Sequence, residues 1–245
     1  MTPRITLAVA ARVLTQLRRD HRTLVMLLLL PCLLMSLLWW MFDELPGNTF
    51  DRTGPALLAL FPFVVMFLVT SVTTLRERSS GTLERLLAMP LGKGDFLVGY
   101  ALAFGLVAAV QSVLAVSLSV GVLGLDIAGE VWLLTVVAVG DAILGTALGL
   151  FVSAFAQTEF QAVQFMPLLV IPQILLCGLF VPRALLPGVL EAISDVLPLS
   201  YAVDAMQHLA AETGTSEVWG DLGVVAGFAL AGLALGAATL RRRTD

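Results

Sequence analysis

Long apolar runs separated by short polar stretches organise the whole chain. Six of these runs are long enough, at roughly 17 residues or more, to cross the hydrocarbon core of a bilayer as helices. They cover residues 23–42, 55–75, 96–125, 131–155, 165–181 and 221–240. The pattern therefore predicts an all-α membrane protein with about six transmembrane helices, and we treat residues 23–245 as a single transmembrane domain.

A basic amphipathic segment comes before the first run, over residues 1–22. One side of it repeats an apolar residue every four positions: Ile5, Val9, Val13 and Leu17. Arginines surround this stripe, and the combination is typical of helices that lie on an anionic lipid surface. We therefore expect an interfacial helix ahead of the first span.

The longest polar stretch lies between the fifth and sixth runs, over residues 182–220. It contains apolar pieces that are too short to span a membrane. Pro187 is placed to begin a helix there and Pro198 to break it, because proline fits the first turn of a helix but not its interior. The pattern predicts a re-entrant helical hairpin, which enters the membrane only in part.

Composition supports a membrane protein, since 58 % of the 245 residues are hydrophobic and 13 % are charged. A soluble domain carries about a quarter charged residues. Cys32 and Cys177 both lie in apolar runs, which argues against a disulfide or a metal pair. Lys93 is the only lysine beside many arginines, a bias typical of a high-G+C genome that points to a bacterial plasma membrane.

The loops on the two sides of the membrane differ in charge. With six spans, both chain ends share a side with the stretch between spans two and three. The basic residues on that side are Arg4, Arg12, Arg18, Arg19, Arg22, Arg76, Arg78, Arg85, Lys93, Arg241, Arg242 and Arg243. The other side carries only Arg52 and Arg183. By the positive-inside rule we expect both chain ends and residues 1–22 in the cytoplasm, and the 182–220 hairpin outside.

Residues 76–90 form a short charged island between the second and third runs. Gly81 suits a helix stop because it tolerates the left-handed conformation. Residues 82–88 can then form a short helix with leucines on one face and with Glu84 and Arg85 in water. Two interpretations remain open: a solvated helix that only links two spans, or a segment that another protein holds from the water side.

The island resembles the cytoplasmic coupling segment of the ABC-2 family of transporter permeases. Its residues follow the order E-x-x-x-G-T-L-E-x-L-L-x-x-P, from Glu77 to Pro90. A second block, L-x-G-x-x-x-P over residues 176–182, resembles the end of that family's fifth span. Residues 198–201 resemble its P-x-x-Y element. The chain departs from many relatives at Tyr100, where they have Lys, and at Gln207 and His208, where they have Arg.

The resemblance implies the fold of ABC-2 exporters, also called type V exporters, in which two permeases pair with two copies of a separate ATPase. The second permease would be identical or paralogous, and ATP and Mg²⁺ would bind only to the ATPase, so this chain would not be an enzyme. The resemblance implies ATPase coupling through Glu77, Gly81, Thr82, Leu83, Glu84, Arg85 and Leu87. It implies an external gate at Pro182, Pro187, Pro198 and Tyr201.

Few residues inside the spans could carry chemistry. Asp141 is the only ionisable residue well inside a span, where a carboxylate costs roughly 2.5 to 3.5 kcal/mol on insertion scales. It is either a polar point of a transport pathway or a hydrogen-bonded carboxyl that holds the fourth span to a neighbour. Gln173 and Phe63 are further pathway candidates, beside the alternatives of an ordinary interhelical hydrogen bond and simple packing. His21 and His208 have no evident partner ligands, so we expect no metal site.

Two hypotheses of function follow. The first is the permease subunit of an ATP-driven exporter for an amphipathic drug, lipid or secondary metabolite, in contact with lipid and not with nucleic acid. The second is a stand-alone carrier or channel that uses an ion gradient at Asp141. A membrane-embedded enzyme ranks last, because the sequence offers no catalytic constellation.

Overall fold

The structure, a computed structural model, describes residues 3–42, 49–80 and 93–239. Every regular element in these ranges is helical. Six helices are long and apolar enough to cross a membrane: α2 His21–Phe42, α3 Thr49–Ser79, α4 Lys93–Gly121, α5 Val131–Ser153, α6 Glu159–Leu176 and α9 Ser216–Thr239. The others are α1 Pro3–Arg19, a 3-10 turn Arg183–Leu185, α7 Gly188–Ser194 and α8 Pro198–Ala211. The predicted all-α class and the six spanning helices are confirmed.

Helix α3 begins earlier than the sequence predicts. The turn-forming residues before Pro55 suggest a loop, yet the helix starts at Thr49 and includes both Gly54 and Pro55. Tertiary contacts explain the difference: Asp51 accepts a hydrogen bond from the backbone N–H of Asp126 at 2.9 Å. A Cβ on Gly54 would come within 2.9 Å of Leu125. This first turn is therefore held against the loop after α4, which local sequence cannot report.

Helix α6 is also displaced, beginning at Glu159 instead of residue 165 and ending at Leu176 instead of residue 181. Thr158 caps it, since its hydroxyl accepts a hydrogen bond from the backbone N–H of Gln161 at 3.2 Å. Because the first turns of this helix contain glutamines, the hydropathy pattern assigns them to a polar loop and places the start of the span later. The chain turns immediately after the helix, where Gly178 adopts φ +91°, a left-handed conformation that favours glycine.

Helices α3 and α5 form the centre of the bundle, with 67 % of each spanning window buried. They approach closely because α5 presents glycines to α3. A Cβ on Gly145 would lie 2.4 Å from the carbonyl oxygen of Phe63, and one on Gly149 would lie 2.5 Å from that of Phe67. Small residues allow such backbone contact between membrane helices. By contrast, α2 and α6 have only 17 % of their spanning windows buried, so lipid or another chain must cover them.

The first helix packs on protein. The predicted stripe is present, and Val9, Val13 and Leu17 are buried, but they lie in a cluster with Phe96 and Tyr100 of α4. The apolar stripe therefore packs on α4 and not on lipid, and the position of the helix at the membrane surface stays a prediction. The spacing correctly identified an apolar face, and only the folded chain shows that α4 covers it.

The segment after α6 is helical, as predicted. Pro187 directly precedes α7 as its N-cap, which confirms its predicted position. Pro198 does not interrupt a helix: α7 already ends at Ser194, and Pro198 is the first residue of α8. Helix α8 buries one face against α3, α5 and α9. Residues 198–211 are thus part of the bundle, and we call the end of the bundle that carries α7 and α8 the hairpin end.

Candidate functional site

Most of the predicted coupling residues lie outside the described part of the chain. Gly81, Thr82, Leu83, Glu84, Arg85 and Leu87 all fall between residues 80 and 93. The short helix expected over residues 82–88 therefore stays a prediction. Glu77, near the end of α3, and the start of α4 are described. They lie on either side of residues 81–92 and show where this segment is attached to the bundle.

A polar cluster of Arg12, Glu77 and Tyr100, which we call the Glu77 cluster, joins three helices at that place. Arg12 of α1 donates a hydrogen bond from Nη2 to Glu77 Oε1 at 3.2 Å. Tyr100 of α4 donates its hydroxyl to Glu77 Oε2. Both Tyr100, at 0 % exposure, and Glu77, at 5 %, are buried. The sequence predicts that Glu77 contacts the ATPase, but the structure turns its carboxylate inward, so that contact is not available in this conformation.

These partners have a clear physical role. Glu77 lies in the last turns of α3, where the negative end of the helix dipole disfavours a carboxylate. A buried charge also requires a counter-charge and hydrogen bonds, which Arg12 and Tyr100 supply. The Tyr100 ring is held between Phe96 and Phe104, with centroids 4.2 and 6.1 Å away. The sequence signal for this buried cluster was Tyr100 itself, a polar aromatic residue with a Phe four positions before it and another four positions after it.

A second contact strengthens the attachment of α1 to α4. Thr6 donates its hydroxyl to Asp95 Oδ1 at 3.0 Å, and the bond is buried. A Cβ on Gly99 would lie 2.7 Å from Val9 and 2.9 Å from the carbonyl oxygen of Thr6. The first helix is therefore fixed against the opening turns of α4, the helix that follows residues 81–92.

Beside this region, Arg76 forms a two-pronged ion pair with Glu159 of α6 at 2.8 and 2.9 Å. Both side chains are at least half exposed, so the pair contributes little to stability. A nearby cavity of about 390 Å³ opens at the start of α6. It is lined by Phe155, Gln157, Gln161, Gln164, Phe165 and Leu168. These lining residues carry amides and apolar side chains and no charge, so the cavity is suited to bind an uncharged amphipathic molecule.

Asp141 is completely buried in the centre of the bundle. Neither carboxyl oxygen has a hydrogen-bond partner within residues 3–42, 49–80 and 93–239. The alternative of a hydrogen-bonded carboxyl that holds the fourth span to a neighbour is therefore not supported. The place of Asp141 in a transport pathway stays a prediction.

Gln173 and Phe63 are both buried. Gln173 donates to the carbonyl oxygen of Leu169 at 3.0 Å and accepts from the backbone N–H of Leu199 at 3.3 Å. Gln173 thus pairs a backbone N–H of the first turn of α8. Of the alternatives for this residue, the structure supports an ordinary interhelical hydrogen bond. Phe63 lies against Gly145 in the closest contact between α3 and α5. Neither residue faces an opening in this conformation.

The hairpin end carries an ion network around Arg183. Its guanidinium donates to Asp204 and to Asp195 and lies 5.1 Å from the centre of the Tyr201 ring. Tyr201 in turn donates to the carbonyl oxygen of Asp195 at 2.7 Å. Burial raises the pKa of Asp204, and the charge of Arg183 opposes that rise. The network ties the turn after Pro182 to α8, and so brings Tyr201 close to Arg183, which directly follows the predicted gate residue Pro182.

His208 is not isolated, contrary to the expectation from sequence. Its Nδ1 lies 3.2 Å from Glu217 Oε2, and Glu212 lies beside both. The four-residue spacing between His208 and Glu212 was the available signal, because residues so spaced share one face of a helix.

Comparison with known proteins gives sequence matches over most of the chain. The sequence model of the ABC-2 type transporter family matches residues 5–210. The "Probable multidrug ABC transporter permease YbhR" of Escherichia coli (strain K12) is 28 % identical over 69 % of this chain and 46 % of its own length. "ABC transporter G family member 20" of Dictyostelium discoideum is 26 % identical over 67 % of this chain and 23 % of its own. The "Linearmycin resistance permease protein LnrN" of Bacillus subtilis (strain 168) is 23 % identical over 73 % and 47 %.

The chain thus spans less than half the length of each of these relatives. The family match nevertheless covers α1 through nearly all of α8, and it includes the Glu77 cluster and the Arg183 network. Six spanning helices and a match of this extent lead to one conclusion: the chain belongs to the ABC-2 type transporter family.

Proposed function

We propose that this chain is the membrane-spanning permease subunit of an ATP-driven exporter in a bacterial plasma membrane. Two permeases, identical or paralogous, form the pathway, and two copies of a separate ATPase bind ATP and Mg²⁺. The family match over residues 5–210 carries this proposal, and the names of YbhR and LnrN describe an ABC transporter permease and a resistance permease.

Coupling occurs through the segment 76–90, with Leu83 and Leu87 in a groove of the ATPase and Glu84 and Arg85 at its polar rim. The Glu77 cluster supports this assignment, because it makes the end of α3 and the start of α4 a single unit with α1. A push on the segment between them moves three helices together. Because α3, the second span, also contacts α2 and α6, the movement passes to the first and fifth spans and converts an inward-open pathway into an outward-open one.

The bundle is oriented with the Glu77 cluster in the cytoplasm and the hairpin end outside. The excess of Arg on the Glu77 side supports this orientation through the positive-inside rule. The Arg183 network then closes the outer end of the pathway, with Pro182, Pro187, Pro198 and Tyr201 at the gate.

The substrate is an amphipathic drug, lipid or secondary metabolite. The cavity at the start of α6 supports this class, because its glutamines and phenylalanines offer hydrogen bonds and apolar surface without a charge. In the proposed orientation the cavity opens toward the cytoplasmic leaflet, where such a molecule would enter.

The decisive experiment joins co-purification with transport. The tagged chain is expected to retain an ATP-hydrolysing subunit, whereas Leu83→Pro and Glu84→Arg insert into the membrane but lose substrate-stimulated ATP hydrolysis. Glu191→Arg is the matched control, since Glu191 is an exposed residue on α7 at the opposite end. Coupled transport that persists in both coupling variants would contradict the assignment.

The carrier hypothesis keeps one favourable observation, which is the fully buried and unpartnered carboxyl of Asp141. A carrier of this kind would transport without an ATPase and would stop on Asp141→Asn. The exporter is expected to keep ATP-dependent transport in that variant, so a single reconstitution in liposomes, with and without the ATPase, separates the two.

A further inference from the structure

Three metal-ligating side chains converge at the junction of α8 and α9. His208 lies in the last turn of α8, and Glu212 directly follows that helix. Glu217 lies in the first turn of α9. The nearest ligand atoms of the three residues all lie within 4.8 Å of one another, and His208 Nδ1 is 3.2 Å from Glu217 Oε2.

This spacing already approaches that of a metal site. Zn²⁺ binds imidazole nitrogen and carboxylate oxygen at about 2.0 to 2.2 Å, so ligand atoms in a tetrahedral site are about 3.4 Å apart. The His208 and Glu217 atoms have nearly this separation. Glu212 is exposed and offers a carboxylate oxygen within 4.8 Å of the other two ligand atoms, so the three residues supply one nitrogen and two oxygens. Water supplies the fourth position, as it does in other three-ligand zinc sites.

The backbone that carries His208 and Glu212 is held in place before any ion arrives. The backbone N–H groups of Ala128 and Gly129 donate to the carbonyl oxygens of Ala210 and Leu209 at 3.2 and 2.8 Å. The N–H of Glu212 donates to the carbonyl oxygen of His208 at 2.8 Å. A Cβ on Gly129 would come within 2.9 Å of Leu209, so the loop lies directly against the end of α8. Ligands on a fixed backbone bind an ion with less loss of freedom.

The surrounding charge also favours a cation. Arg183 acts electrostatically on Asp221 in this region, and it is already paired with Asp204 and Asp195. Asp221, one turn after Glu217, interacts electrostatically with both His208 and Glu217. Carboxylates therefore outnumber cationic groups around the junction, which attracts a divalent ion.

We propose that His208, Glu212 and Glu217 form a binding site for one divalent cation of the Zn²⁺ class, which joins the end of α8 to the start of α9. Without the ion, α8 and α9 already pack against each other, and the His208–Glu217 pair lies at the exposed edge of that contact. With the ion, α8 cannot move away from α9. The site needs neither the proposed transport function nor a partner chain.

Calorimetric titration with ZnCl₂ tests the proposal on the full chain, without a histidine tag, in nanodiscs of phosphatidylcholine. We expect one Zn²⁺ per chain. His208→Ala is expected to weaken binding about 100-fold, because loss of a ligand costs at least as much as the 10- to 100-fold known for groups that only support ligands. Glu217→Gln is expected to weaken it at least about 10-fold by the same reasoning.

Two controls separate this site from adventitious binding. His21→Ala removes the other histidine of the chain, and Glu191→Gln removes an exposed glutamate of α7; both are expected to bind Zn²⁺ as the unaltered chain does. Each variant's unfolding temperature without Zn²⁺ confirms that it folds. Absence of saturable binding to the unaltered chain, or equal binding by His208→Ala, would overturn the proposal.

Discussion

The buried hydroxyl of Tyr100 provides the sharpest test of the Glu77 cluster. Tyr100→Phe removes one oxygen and leaves the ring between Phe96 and Phe104. The carboxylate of Glu77, at 5 % exposure, then loses the hydrogen bond from this hydroxyl but keeps Arg12 and Gln16 as partners. A hydrogen bond to a charged group contributes about 1.5–3 kcal/mol to stability. We therefore expect the free energy of unfolding to fall by about that amount.

The free energy of unfolding is measured by chemical unfolding of the purified chain in detergent. The control is a double-mutant cycle that combines Tyr100→Phe with Glu77→Gln. In the Glu77→Gln background the hydroxyl no longer meets a carboxylate, so Tyr100→Phe is expected to cost less there. An interaction energy of at least about 0.5 kcal/mol is expected for residues in direct contact. Additive effects of the two substitutions would refute the account, because the hydroxyl would then act independently of Glu77.

Three other outcomes follow from the same structure. Gly99→Ala is expected to destabilise the chain by about 1–3 kcal/mol through overpacking, with partial rescue by Val9→Ala, measured by the same unfolding assay; no rescue would contradict the contact. In the unaltered chain, maleimide labelling of Cys177 is expected to be slow because burial raises the pKa of its thiol to about 11. Arg183→Gln is expected to loosen the hairpin end and so to accelerate this labelling. Unchanged labelling, in a background without Cys32, would count against the network. Arg76→Ala is expected to change stability by less than about 1 kcal/mol because the pair is exposed, and a larger loss would show that it is a structural contact.

The ion network at the hairpin end and the Glu77 cluster have a common design. In each, one arginine links helices or turns that are distant in sequence, and an aromatic residue lies against or within the same group. Because both lie at ends of the bundle, they restrain the helices where loops leave it. In the proposed exporter, these are the two places where the pathway must open and close.

The sequence determined the class of protein and the number of crossings. Apolar runs of bilayer length have few structural solutions, since every backbone polar group in lipid must be paired within a helix or a closed barrel. The same reasoning placed Pro187 ahead of a helix and identified the apolar stripe of α1. The resemblance at residues 77–90 and 176–201 added the family, which the comparison confirmed.

Tertiary contacts decided the rest, because they join residues whose local sequence carries no record of the partner. Val9 packs against Gly99 and not against lipid, and the carboxylate of Glu77 turns inward to Tyr100. The hydrogen bond of Asp51 stabilises as the first turn of α3 a stretch that the sequence predicts to be a loop. His208 gains a glutamate from the next helix. Apolar periodicity shows that a face will be buried, but only the packed bundle selects what covers it, since lipid and a neighbouring helix are equally apolar.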